Sequence, residues 1–211
     1  MALIHRATLR PSKLELLTTW LPGRPWAAGA GEVQAAGAYR YDDPAGEVGL
    51  EAHLLRADSG AVLHVPLTYR GAPVAGAEHA LVGTMEHSVL GTRWVYDGCA
   101  DPVWVAALAR AVLAGAPQAE ELVDVDGELV PREPSARVIS SGRGAGPDLP
   151  QDTALTMHDD GPTTIVRARD LELVVVRVVG AEVVGDHVLT GTWSTGGPAT
   201  LAVVRSAAPP A

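Results

Sequence analysis

The segment AVLHVPLTYR, residues 61–70, decides how the chain is read. Leu63, Val65, Leu67 and Tyr69 fall at every second position, the period of a β-strand with one face buried. Pro66 cannot donate to a strand ladder, so it predicts an edge position or a bulge. Similar alternation recurs over residues 33–41, 47–56 and 80–90, with turns at DDPAG, ADSG and RGAPVAG.

Two segments have helical signatures. In PSKLELLTTWLPGRP, Ser12 and Glu15 stand three apart, the spacing of a capping box, and Pro22-Gly23 stops the element. Leu14, Leu17 and Leu21 are expected on its apolar face. Further on, Asp101 suits an N-cap, Pro102 the first helical position and Gly115 the stop. Trp104, Leu108, Ala111 and Val112 then form a stripe that should lie on a sheet. Beyond it the pattern returns to strands. ELVDVDGELV predicts a hairpin turning at Asp126-Gly127, 138–152 a Gly/Pro/Ser-rich loop, and ALTMHDDGPTTIVRA a second hairpin. LELVVVRVV, HVLTGTWST and ATLAVVRS predict three more strands. The class is α+β with a mainly antiparallel sheet.

Composition narrows the function classes. The 211 residues are 47% apolar and 19% charged, which fits a globular chain, and the Ala, Gly, Val and Arg bias fits a GC-rich genome of actinobacterial type. Net charge is −9, with 9 basic and 11 acidic side chains in residues 1–115 and 7 and 14 in residues 116–211. Neither half offers the basic surface that nucleic acid requires. One cysteine, Cys99, excludes an internal disulfide and a cysteine-based zinc cluster. Neither a secretory signal nor a membrane-spanning run is read, so a cytoplasmic protein with no membrane partner is expected.

The segments WLPGRPWAAG (20–29), LHVPLTYRGAPVAGAEHALVGTMEH (63–87) and WVYDGCADPVWVAALARAVLAG (94–115) stand in the order of the bacterial maltokinase N-terminal cap, which the first 115 residues or so resemble. The resemblance implies a curved antiparallel sheet packed on a helix, here followed by a β-rich extension over 116–211, separate or continuous with the first sheet. In the family the cap precedes a two-lobed kinase body. This chain shows no HGD, HRD or DFG-like segment and no G-x-x-x-x-G-K-[ST], and its only lysine, Lys13, stands on the first helix. The implied role is a stand-alone, non-catalytic module without a cofactor, in maltose 1-phosphate, trehalose and α-glucan metabolism. A protein partner or a homodimer is expected, since an open sheet has edges to protect.

The competing reading is an autonomous carbohydrate-active or sugar-phosphate-binding protein. Glu86, His87 and Asp97 would supply acid–base groups, and Arg93 would bind an anion. Strand alternation sets Glu86 and His87 on opposite faces, so they converge only across a bulge. Tyr96 and Asp97 read more simply as anchors of the turn before the second helix. Trp26, after Pro25 in a Gly-rich stretch, is the tryptophan expected to be exposed and able to stack on a sugar ring; the other four read as core. His53 and His64 flank ADSG. A two-residue loop sets them directly opposite as a potential metal pair, whereas a three-residue loop pairs Leu54 with His64. His158, Asp159 and Asp160 read as turn chemistry, and Cys99 as either a helix-activated thiol or inert filler.

Overall fold

A computed structural model describes residues 2–4, 7–125, 127–147, 149–150 and 153–206. Asp126, at the expected hairpin tip, lies outside the described residues. In chain order the first part contains β1 (Ala2–Ile4), β2 (Leu9–Arg10), α1 (Lys13–Trp20), β3 (Val33–Tyr41), β4 (Gly49–Ala57), β5 (Val62–Arg70), β6 (Leu81–His87), β7 (Gly91–Asp97) and α2 (Pro102–Ala114). There follow β8 (Glu121–Val125), β9 (Glu128–Arg132), β10 (Ala136–Ser140), β11 (Leu155–Asp160), β12 (Thr163–Ala168), β13 (Leu171–Val176), β14 (His187–Trp193) and β15 (Gly196–Ser206). The first six-stranded sheet runs β2-β6-β7-β5-β4-β3, the second β10-β14-β15-β13-β12-β11, and a small third sheet joins β1, β8 and β9. Every named pairing is antiparallel except β1 with β8. The α+β, mainly antiparallel class is therefore observed.

Alternation divides the first sheet into two cores. On one face Leu55, Leu63, Val65, Leu67, Met85 and Val95 meet Leu16, Leu17 and Leu21 of the α1 region. The capping box forms: Ser12 Oγ accepts from Glu15 N, and Glu15 Oε2 accepts from Ser12 N at 2.7 Å. Leu14, expected inside, is 37% exposed, and Leu16 is buried in its place, packed over Gly83 of β6, where an added Cβ would lie 2.7 Å from Leu16 Cδ2. On the opposite face Tyr39, Tyr41, Leu50, Ala52 and Leu54 pack with α2 and with Leu173, Val175, Leu189 and Leu201 of the second sheet. Helix α2 thus lies between two sheets. That is why nearly its whole circumference is apolar and buried, rather than a single stripe. Asp101 caps it through Val103 N at 3.0 Å, and Gly115 ends it at φ 68°, where a side chain would be strained.

Three further expectations change. The span 80–90 is not one strand: residues 88–90 turn, and 91–97 return as β7 beside β5. The start of the segment read as a loop from 138 belongs to β10, which pairs with β14. Pro66 sits in β5, an inner strand, and not at an edge. The reason is a change of partner. His64 N–H donates to the Arg177 carbonyl at 2.8 Å, whereas β7 pairs only with Leu67–Arg70. Two residues after His64, Pro66 points its nitrogen the same way, into the gap between those partners, so no ladder bond is lost. Gly98 closes this gap: an added Cβ would lie 2.9 Å from Trp104 Cγ and 3.1 Å from Pro66 Cβ.

Candidate functional site

The face of the first sheet that carries α1 ends in a cleft of about 420 Å³. Strand pairing builds its floor. His87 on β6, Arg93 on β7, Tyr69 on β5 and Arg40 on β3 form a row across the sheet, and Lys13 approaches from the first turn of α1. The β3–β4 turn supplies the opposite wall with Asp42, Asp43 and Glu47.

Beneath the floor Glu51, 4% exposed, gathers the cations. It accepts from Lys13 Nζ and, at 2.7 Å, from Arg40 Nη2; His53 Nε2 lies 3.3 Å from it and 3.0 Å from the Tyr69 hydroxyl. Burial opposes ionisation of Glu51, yet His53, Lys13 and Arg40 together hold its carboxyl well below the usual range. Burial also pulls the Lys13 amine below the ordinary lysine value, despite the Glu51 carboxylate. Lys13 Nζ stands 5.1 Å above the Tyr69 ring centre, a cation–π contact. Sequence reasoning passed over this cluster. The available signals were Lys13 as the only lysine, and Glu51 and His53 two apart on one strand face.

A second polar group lies inside, where the two large sheets meet along β5. Arg177 is fully buried; its Nη2 donates to Asp97 Oδ2 at 2.5 Å and its Nε to Thr164 Oγ1 at 2.7 Å. Thr164 donates in turn to Asp159 Oδ1 at 2.6 Å. Burial works against the arginine charge, but Asp97 outweighs it and raises the pKa above the usual arginine value. His64 Nδ1 faces the Val176 carbonyl at 3.0 Å and must donate, which leaves Nε2 to accept from Tyr39 at 2.9 Å. Burial lowers the pKa of this neutral imidazole to about 4.

The sequence-derived candidates are dispersed. His87 and Arg93 line the cleft. Glu86 is exposed on the other face and accepts from Thr92 Oγ1 at 2.8 Å, so Glu86 and His87 do not converge. Asp97 is 2% exposed and accepts from Cys99 N at 3.0 Å as well as from Arg177. Cys99 is buried, and burial pushes its thiol pKa up, opposite to helix activation. His53 and His64 do not face each other: residues 58–60 form a three-residue loop, Leu54 pairs with His64, and the two imidazoles point to opposite faces. Among the described residues no group of three or more His, Cys, Asp or Glu gathers as a metal site. Trp26 is not exposed. At 6% accessibility it packs beside Trp20, with the Arg177 guanidinium 4.8 Å from its ring centre.

The profile of the maltokinase N-terminal cap domain family matches residues 20–101. These residues are similar to that cap domain. No curated protein matches the chain. The cap-like domain includes β3 to β7 and reaches the N-cap of α2. Lys13 precedes the matched residues, and Arg177 follows them, so both polar clusters join the cap to chain outside it. Among the described residues no helix is long and apolar enough to cross a membrane.

Proposed function

We propose that this protein is a non-catalytic, cap-like module that serves maltose 1-phosphate, trehalose and α-glucan metabolism through regulatory or partner-binding contacts. The observation that carries the reading is the cap-family match over residues 20–101. The separation of Glu86 and Asp97 from the cleft that His87 and Arg93 line supports it, since acid–base chemistry needs groups within reach of one reacting atom. The module works in the cytoplasm on a protein surface, either a second copy or a maltokinase-associated enzyme, across an interface of roughly 1,200 Å² or more in total.

Sedimentation velocity of the purified chain, alone and mixed with a maltokinase, tests the reading beside an assay of ATP-dependent maltose phosphorylation. A self-associated species or a stable mixed complex is expected, with a changed phosphorylation rate in the mixture. A monomer that neither binds nor alters the rate would overturn the proposal, as would phosphate transfer from ATP to maltose by the pure chain.

A further inference from the structure

The two six-stranded sheets share one topology. Counted within each sheet, the strands lie in the order first, fifth, sixth, fourth, third, second, in β2-β6-β7-β5-β4-β3 and again in β10-β14-β15-β13-β12-β11. The β8–β9 hairpin, residues 121–132, belongs to neither unit and stands between them in the chain. Neither large sheet needs it to complete its strand order.

The root of this hairpin is held and its tip is not. Glu121, 3% exposed, lies 3.9 Å from Arg40 Nε and 3.4 Å from Arg132 Nε, and Leu122 beside it is buried. Further out, Val125, Leu129 and Val130 are 39%, 48% and 40% exposed, and no residue of β9 is buried. Leu129 and Val130 are neighbours in a strand and point to opposite faces, so neither face of the tip is covered. A small sheet is marginal in water without a packed face, and aliphatic side chains grouped in the open mark a contact surface.

Charge and edge chemistry define what fits there. Among the described residues of 120–133, five carboxylates accompany one cation, Arg132. Glu121 is engaged by Arg40 and Arg132, and Glu133 by Arg137. Glu120, Asp124 and Glu128 stay exposed around the aliphatic tip, with no ion pair among the described residues. Pro131 removes an N–H from β9, so the hairpin is a poor template for another strand and offers its faces instead. A second copy brings the same acidic tip on a chain of net charge −9, so copies repel at this surface.

We propose that the β8–β9 hairpin is a docking arm for a different protein, one with an apolar groove rimmed by lysine or arginine. The groove encloses the tip with Val125, Leu129 and Val130, and its rim faces Glu120, Asp124 and Glu128. The fixed root presents the tip already ordered, which lowers the entropic cost of docking. The proposal rests on the partner-binding reading and gives it a surface, with another protein rather than a second copy as the occupant.

Sedimentation velocity of the full chain mixed with a purified maltokinase, at low and high sodium chloride, tests the arm. Leu129→Ser with Val130→Ser should unfold like the parent, since both side chains already meet water, while the mixed complex weakens by about tenfold or more. Glu120→Gln with Glu128→Gln should weaken it less and flatten its dependence on salt. A mixed complex that the Leu129→Ser, Val130→Ser variant forms as tightly as the parent would overturn the arm and leave the partner-binding reading standing. Self-association without a mixed complex would do the same, since a second copy would then be the occupant. A parent chain that forms neither would sink both.

Discussion

The Asp97–Arg177 contact and the Glu51 cluster use the same chemistry in two settings. Each joins a buried carboxylate to guanidinium groups, and each ties the cap to chain outside it. At Arg177 both partners are sealed between the sheets, with side chains 0% and 3% accessible. At Glu51 the carboxylate is equally hidden, but its partners Lys13 and Arg40 reach a cleft and remain 27% and 21% accessible. A charge with no route to water must be satisfied by the fold itself. One at a cleft can exchange part of its solvation for a ligand. The interior pair is therefore a structural contact, although Arg177 Nη1 keeps no partner, and the cleft cluster is the one that retains contact with water.

The largest expected effect separates these two settings. Arg177→Met keeps most of the side-chain volume but leaves Asp97 buried without its counter-charge, and should cost ~3–5 kcal/mol in denaturant unfolding. Adding Asp97→Asn should return a substantial part of that loss. A single variant within ~1 kcal/mol of the parent would show that water reaches the pair and would break the contrast.

His64 sharpens the comparison through pH. Its folded pKa of about 4 lies below the usual histidine value of 6.5, so the unfolded chain takes up a proton first as pH falls. The stability it contributes is complete above about pH 6.5 and is lost progressively down to about pH 4, with a ceiling of roughly 3 kcal/mol. Glu51 titrates lower, because its pKa is held well below 4.5. His64→Gln should flatten the pH dependence between 6.5 and 4, measured as unfolding free energy at several pH values. An unchanged slope would assign the dependence to other groups.

Glu51→Gln should have the smallest effect of the three, about 2 kcal/mol in the same unfolding measurement, because Lys13 and Arg40 keep partial access to water. A loss as large as that for Arg177→Met would place both clusters in one structural class.

Much of the local architecture was legible in the sequence. The period-two runs of β3, β4 and β5, the Ser12–Glu15 capping box and the Asp101-Pro102 helix start each depend on neighbours a few residues apart. The return strand β7 was harder, because Arg93, Trp94, Tyr96 and Asp97 suit a turn as well as a strand, and only pairing with β5 and β6 settles them. The site was less legible. Lys13, Arg40, Glu51 and Tyr69 come from four separate elements, and their association is a matter of strand register. Trp26 shows the same limit: its Gly-rich surroundings point outward, but Arg177 and Trp20 cover it.

The sequence by itself determined the class of the fold, its strand and helix periodicity, its caps and the similarity of residues 20–101 to the cap family, because these reside in spacing along the chain. Tertiary structure alone decided that α2 lies between two sheets, that Pro66 sits where β5 changes partners, and that Arg177 reaches Asp97 from 80 residues away. It also decided which charges keep access to water. Burial depends on what the rest of the chain places overhead, and no local pattern of residues encodes that.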